Sequence, residues 1–148
     1  MHKIIVEETT SIPVDQVWKL LTDIKNYPKY IRFVTKIKTL DNFEEGFFWS
    51  DITNIFWIHL EIKHQIIKIE RNKKLIYRLF LPIGGKMTEE CELIVDKNGT
   101  KINVTAKFTF NNYFLDLVIG NILKIRIKKM LLDTMRNFKK LHDPQGIT

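Results

Sequence analysis

The spacing of apolar residues changes twice along this chain, and each change marks a change of element. Residues 3–11 are a β-branched, strand-like run. Pro13 then opens a helix, because its fixed φ suits a first helical position and its missing N–H costs nothing there. Asp15 in the first turn favours the helix dipole. Val14, Val17, Trp18 and Leu21 recur at i, i+3, i+4 and i+7, a single apolar stripe. Tyr27-Pro28 ends that pattern, since a residue before proline is pushed out of the α region, and one further helical turn follows over Pro28 to Ile31.

From Phe33 to Phe110 the apolar period is two. Turn signals divide the stretch at Asp41-Asn42 with Glu45-Gly46, at Arg71-Asn72, at Pro82 with Gly84-Gly85, and at Asn98-Gly99. The last is a strong hairpin signal, because a type I′ turn needs φ > 0 at both central residues. The spacing predicts an antiparallel meander of about six strands beside the N-terminal one. After Phe110 the period changes again. Asn111 or Asn112 caps a helix that runs to Leu141, where His142-Asp143-Pro144 stops it. Ile127, Leu131, Met135, Phe138 and Leu141 share one face of that helix.

Side chains alternate faces along a strand, so parity sorts the sheet. Ile58, Leu60, Ile62 and Ile66 share a face, against His59, Glu61, Lys63 and Gln65. Ile102, Val104, Ala106, Phe108 and Phe110 oppose Lys101, Asn103, Thr105, Lys107 and Thr109. Leu75, Tyr77, Leu79 and Leu81 form a third apolar row, and Met87, Cys91, Leu93 and Val95 a fourth. This is a sheet wetted on one face only. Two residues break their rows: His64 and Glu89 both fall on inward parity. Burial of either without partners is costly, so each is paired, solvated or neutral, or lines a cavity and orients a ligand there.

Composition narrows the class. The 148 residues fit one domain, residues 1–148, and the 45% hydrophobic fraction is ample for a core. The longest apolar run, Tyr113 to Ile122, is broken by Asp116 and falls short of a membrane span. The N-terminus reads as a strand rather than a signal peptide, which implies a cytoplasmic protein. The single cysteine, Cys91, excludes an internal disulfide and reads as a packing residue. His59 and His64 differ by an odd number and so cannot be joint ligands on a regular strand. No metal site and no cofactor is expected.

Charge is concentrated in one place. Lys124, Arg126, Lys128, Lys129, Arg136, Lys139 and Lys140 face only Asp133 within residues 121–141, which therefore carry +6 of the net +7. Such a segment is either a solvated helix face or a docking surface for a polyanion. Without a nucleic-acid-binding signature, an anionic membrane reached through Lys124, Lys128, Lys129 and Lys140 ranks above RNA or DNA. The helix presents apolar residues to the core as well, so docking would be that of a folded domain.

The run Thr10-Ser11-Ile12-Pro13-Val14-Asp15-Gln16-Val17-Trp18-Lys19-Leu20-Leu21-Thr22-Asp23, continued by Tyr27-Pro28-Lys29-Tyr30, resembles the opening of the START/SRPBCC (birch-pollen-allergen-like) superfamily. The order of elements is similar over the whole chain. The resemblance implies an α+β helix-grip fold: a curved antiparallel sheet of about seven strands around a long C-terminal helix, with two short helices after the first strand. The small polyketide cyclase/dehydrase-like proteins and coenzyme-Q-binding-type lipid carriers look nearest. Such families enclose an apolar cavity between sheet and helix and share no universal catalytic residue.

Together the rows and the resemblance point to binding or transport of a lipid, isoprenoid or polyketide-like molecule. The expected lining is Phe33, Ile58, Leu60, Ile62, His64, Tyr77, Leu79, Glu89, Cys91, Val104 and Phe108 from the sheet side, with Leu117 and Gly120 from the helix. The alternative within the fold is a cyclase or aromatase, in which His64, Glu89 or Tyr77 converge on substrate. Gly84-Gly85-Lys86 lacks the spacing and following helix of a phosphate loop.

Overall fold

The computed structural model describes residues 1–142, with side chains through Lys140. The N-terminal strand β1 (His2–Thr10) leads into α1 (Val14–Thr22), a 3-10 turn (Ile24–Asn26) and the short α2 (Tyr27–Tyr30). Six strands follow: β2 (Val34–Leu40), β3 (Phe48–Ile55), β4 (Ile58–Glu70), β5 (Lys74–Leu81), β6 (Gly85–Asp96) and β7 (Gly99–Phe110). The chain then enters α3 (Tyr113–His142). The stop expected at Asp143-Pro144, and the side chain of Leu141, lie outside the described residues.

The strands make one antiparallel sheet in the order β1-β7-β6-β5-β4-β3-β2. The meander is thus consecutive, and β1 returns to close the far edge beside β7. Parity holds along β7, where Ile102, Val104, Ala106, Phe108 and Phe110 are all buried. It holds in β4 up to Ile66, where a bulge shifts the register and inward parity passes to Ile69. Val95 runs past the covered part of the sheet and is exposed.

Pro13 accepts the first helical bonds of α1 from Gln16 and Val17 N–H. Val17 and Trp18 are the buried residues of that helix. The helix ends at Thr22, before Tyr27-Pro28. Tyr27 itself is helical, with φ −50° and ψ −39°, against the usual bias of a residue before proline. Its phenol and that of Tyr30 overrule the bias by tying α2 to the end of α1: Tyr27 Oη donates to Leu21 O, and Tyr30 Oη donates to Asp23 O at 2.8 Å.

A hairpin forms at Asn98-Gly99 as expected, but not as a type I′ turn centred on that pair: Asp96 pairs with Gly99 across a Lys97-Asn98 loop, and Asn98 does not have positive φ. Gly99 has φ +146°, and a Cβ there would stand 2.0 Å from the Thr10 carbonyl oxygen. The β3–β4 turn carries no such signal. Its two central residues are Phe56 (φ 51°) and Trp57 (φ 66°). Two bulky side chains in the left-handed region are strained, at ~1–2 kcal/mol per residue.

α3 is capped by Asn112, whose Oδ1 accepts from Phe114 N at 2.9 Å and Leu115 N at 3.2 Å. The helix packs on β1 and β7. Ile127, Met135 and Phe138 are its buried side chains among the described residues, with Leu131 partly buried beside them. No described helix is long and apolar enough to cross a membrane.

Candidate functional site

Between α3 and the concave face of β3–β7 lies a cavity of about 160 Å³. Phe33, Ile62, His64, Tyr77, Leu79, Glu89, Cys91 and Val104 line it, as do Met87, Ile127, Met135 and Phe138. Parity carries these sheet residues inward, and the helical face at Ile127, Met135 and Phe138 roofs them. A void of roughly 150 Å³ walled by apolar side chains takes a benzene-sized molecule. This space is single-ring in size.

Five expected lining residues do not reach the cavity. Ile58 is 59% exposed, because the tight β3–β4 turn lies beyond the part of the sheet that α3 covers. Leu60, one pair further in, is only partly buried against the core edge. Phe108 is 1% exposed, but its ring stacks on His2 at 4.9 Å rather than facing open space. Leu117 is 52% exposed on the outer side of α3. Gly120 makes room for a side chain, not for a ligand: a Cβ there would stand 2.2 Å from His2 Nε2. His2 Nε2 also hydrogen-bonds the Asp116 carbonyl at 2.8 Å, so that corner is filled.

Inside the cavity the polar groups form one cluster. His64 is 7% exposed, and its Nε2 donates to Asp51 Oδ2 at 3.1 Å. Asp51, only 1% exposed, also accepts from Thr53 Oγ1 at 2.7 Å. Trp49 lies flat on the His64 ring, 3.6 Å between centroids and 4° between planes, which fixes the ring's orientation. His64 Nδ1 and the Tyr77 hydroxyl are buried without a hydrogen-bond partner among the described residues. Burial pushes the Tyr77 phenol well above its ordinary range. It likewise pushes the Glu89 carboxyl up to about 7, so this group is part protonated at neutral pH. The buried Cys91 thiol is raised too, first by desolvation, which suits packing and not nucleophilic work.

Asp51 and Thr53 were not among the expected residues. Their signal was present: Trp49, Asp51, Thr53 and Ile55 alternate on one parity of β3, and all four line the cavity. Chemically the cluster offers a hydrogen-bond acceptor in His64 Nδ1, a donor in the Tyr77 hydroxyl, and a carboxyl that titrates near neutrality.

A second, more polar recess of about 360 Å³ sits at the edge of the first. Its walls are Arg32, Asn54, Phe56, Trp57, Arg126, Lys129, Asp133 and Asn137. Phe33, Met130 and Thr134 border both spaces, so they form the partition between vestibule and cavity. Asn54 N–H donates to Phe33 O at 2.7 Å, which ties the partition to the end of β3.

The basic helix is not one charged face. Lys129 lines the vestibule, whereas Lys139 crosses the other flank to pair with Glu8 of β1. Lys128 lies about three helical turns before Lys139 and so shares its flank. Lys124, Lys128, Lys129 and Lys140 are exposed, and no ion pair involves them among the described residues.

A curved seven-stranded antiparallel sheet, gripping a long C-terminal helix over an internal cavity, defines a helix-grip protein of the START/SRPBCC class. The chain belongs to the family described as polyketide cyclase / dehydrase and lipid transport, whose model matches residues 1–143. Among solved structures it is similar to a START superfamily protein from Mycobacterium smegmatis, with TM-score 0.81, 11% identity, and coverage of 99% of this chain and 100% of that one. It is also similar to the di-domain aromatase/cyclase StfQ of the steffimycin biosynthetic pathway, with TM-score 0.82 and 11% identity, covering 99% of this chain and 52% of that one. A third similar structure is Ara h 8.0201, at TM-score 0.68 and 18% identity, with 93% and 97% coverage. No curated protein sequence matches it significantly. At these identities the structural likenesses speak to the fold.

Proposed function

We propose that this protein binds an apolar small molecule of about single-ring width in the cavity under α3. The observation that carries this reading is the partly open space itself, apolar nearly all round with polar groups at Asp51, His64, Tyr77 and Glu89. A few placed polar groups in an apolar pocket fix orientation rather than supply affinity. The family description, which includes lipid transport, supports a carrier or sensor. A polycyclic or long-chain guest would need the cavity to widen, and the partition at Phe33, Met130 and Thr134 is where it adjoins further space.

The test is uptake of indole or toluene followed by methyl NMR. Shifts should appear at Val104, Met87 and Met135, and saturating ligand should raise the melting temperature, by ~2.7 kcal/mol of stability at a hundredfold excess over Kd. Cys91→Phe should abolish both effects by filling the space. An interior that takes up neither probe would leave these side chains as plain core.

The second reading is an acid–base enzyme of the cyclase type, favoured by the Asp51–His64 pair. A carboxylate that orients an imidazole and leaves the other nitrogen free is an arrangement suited to proton abstraction. Turnover of an aromatic polyketide mimic that is lost in His64→Gln with unchanged binding would establish it.

Docking on an anionic membrane fits either reading. Trp57 is 91% exposed at the β3–β4 turn, and Ile83 is exposed in the β5–β6 turn at the same end of the sheet. Lys129 and Arg126 stand beside the first of these. An apolar tip flanked by cations suits a lipid headgroup layer.

A further inference from the structure

The vestibule holds polar groups that the fold does not use. Arg126 Nε and Asn54 Oδ1 are both buried there without a hydrogen-bond partner among the described residues. Native proteins satisfy nearly all such atoms, so two in one recess point to a group that is to be bound between them. The recess gathers Arg32, Arg126 and Lys129 against the single carboxylate of Asp133. None of these four takes part in an ion pair among the described residues. The Arg126 guanidinium lies over the Phe56 ring, 5.8 Å from its centre, and Phe56 and Trp57 keep this wall in a strained left-handed turn. Strain of that kind persists where the surroundings over-determine it, and it clusters at ligand clamps.

The geometry points to an amphiphile with an anionic head as the ligand: the head at Arg126, Lys129 and Asn54 in the vestibule, the apolar part in the cavity. This inference rests on the cavity reading above and adds the chemical class and direction of the guest. Electrostatics fix that direction. An anion driven to the cavity floor would meet Asp51 and Glu89, whereas at the vestibule it meets three cations and one acid. A guanidinium also matches a carboxylate or phosphate with paired N–H donors, which a lysine cannot do. The amide of Asn54 can present either its oxygen or its N–H₂, and an anion selects the donor.

Three soluble probes with one tail test this: 4-phenylbutyric acid, 4-phenylbutyl phosphate and 4-phenylbutanol, each titrated by calorimetry at low salt with no vesicles present. The acid or the phosphate should bind at least tenfold more tightly than the alcohol, and the preferred one names the head. Arg126→Gln should remove that preference, and Lys129→Gln, at an exposed position, should reduce it severalfold. Equal affinity for all three in the native chain, or a preference that survives Arg126→Gln, overturns the inference while the cavity reading stands. Failure of all three to bind where toluene does overturns the inference alone, and failure of toluene as well overturns the cavity reading.

Discussion

The two flanks of α3 are built on opposite principles. Toward β1 and β7 polar groups tie helix and sheet together: His2 bonds the Asp116 carbonyl, Asp116 accepts from Phe110 N and Thr109 Oγ1, and Lys139 reaches Glu8. Gly120 is the small residue that lets this flank close over His2. Toward β2 and β3 the helix stands off. That side keeps an open vestibule, unpaired cations, two orphaned buried atoms and a strained aromatic turn. The same helix is thus a structural seal on one side and a lid beside an opening on the other. Satisfied polar groups mark where stability was built, and unsatisfied ones mark where something else is expected to bind.

Truncation should separate the flanks by the largest margin. Phe108→Ala removes a ring that is fully buried behind His2, and should cost ~3–5 kcal/mol in denaturant unfolding. Met130→Ala, at the partition on the other flank, should cost well under half of that, because space and solvent already lie beside it. Comparable losses at the two positions would mean that the open flank is as tightly packed as the sealed one.

A change of pH sharpens the contrast from inside the cavity. Burial raises Glu89 from its ordinary 4.5 to about 7, so the folded chain binds a proton that the unfolded chain has lost between those values. Folding stability should therefore fall as pH rises from about 4.5 to about 7 and then level off, by about 3 kcal/mol at most. Glu89→Gln removes the effect. Its advantage over the native chain, read from urea midpoints, should be absent at pH 4 and full at pH 8. An advantage that does not change with pH would place the carboxyl in water or against a compensating cation.

Much of this was legible in the chain, and the exceptions have physical reasons. Periodicity gave the strand rows and the buried face of α3, because alternation and helical repeat are local properties of sequence. His64 and Glu89 were found as breaks in apolar rows. Asp51 was missed because the β3 row was not sorted by parity, although Trp49 and Ile55 flank it on the same face. Ile58, Leu60, Phe108 and Leu117 were misjudged because parity tells which face a residue takes and not where the covering helix ends. Gly120 was expected in the cavity lining, since nothing local shows that His2, far away in sequence, packs against it. The vestibule joins three separate segments, and no periodic signal reports such a meeting. The Phe56-Trp57 turn broke the usual turn chemistry outright.

That turn should yield a gain. Replacing Phe56→Asn and Trp57→Gly supplies the residues a type I′ turn prefers. Relief of ~1–2 kcal/mol of strain at each residue, offset by the backbone entropy that glycine loses on folding and by loss of the contact between Phe56 and Arg126, should leave a net gain of ~1–2 kcal/mol. The same double variant should weaken binding of an anionic probe by loosening Arg126. A gain in stability with no loss of binding would make the strained turn incidental to the vestibule.

The smallest expected effect discriminates best, because it compares neighbours. Lys128 and Lys129 are adjacent and both exposed, yet they point to different flanks of α3: Lys129 lines the vestibule and Lys128 shares the side of Lys139. If the chain docks on anionic lipid with its apolar turns leading, Lys129 approaches the headgroups and Lys128 is turned away. Each basic residue near such a surface is worth ~1 kcal/mol, about fivefold in affinity, and less as salt shortens the ~8 Å screening length. In co-sedimentation with phosphatidylserine-containing vesicles, Lys129→Gln should therefore cost up to about fivefold, and Lys128→Gln close to nothing. Lys124→Gln and Lys140→Gln extend the map along the helix. The apolar turn adds a second requirement, since Trp57→Ser should reduce binding even at high salt, where the cationic contribution has faded. Equal losses at Lys128 and Lys129 would return the charge to a diffuse attraction without an oriented face, and binding unaffected by any of these changes would remove the membrane from the account.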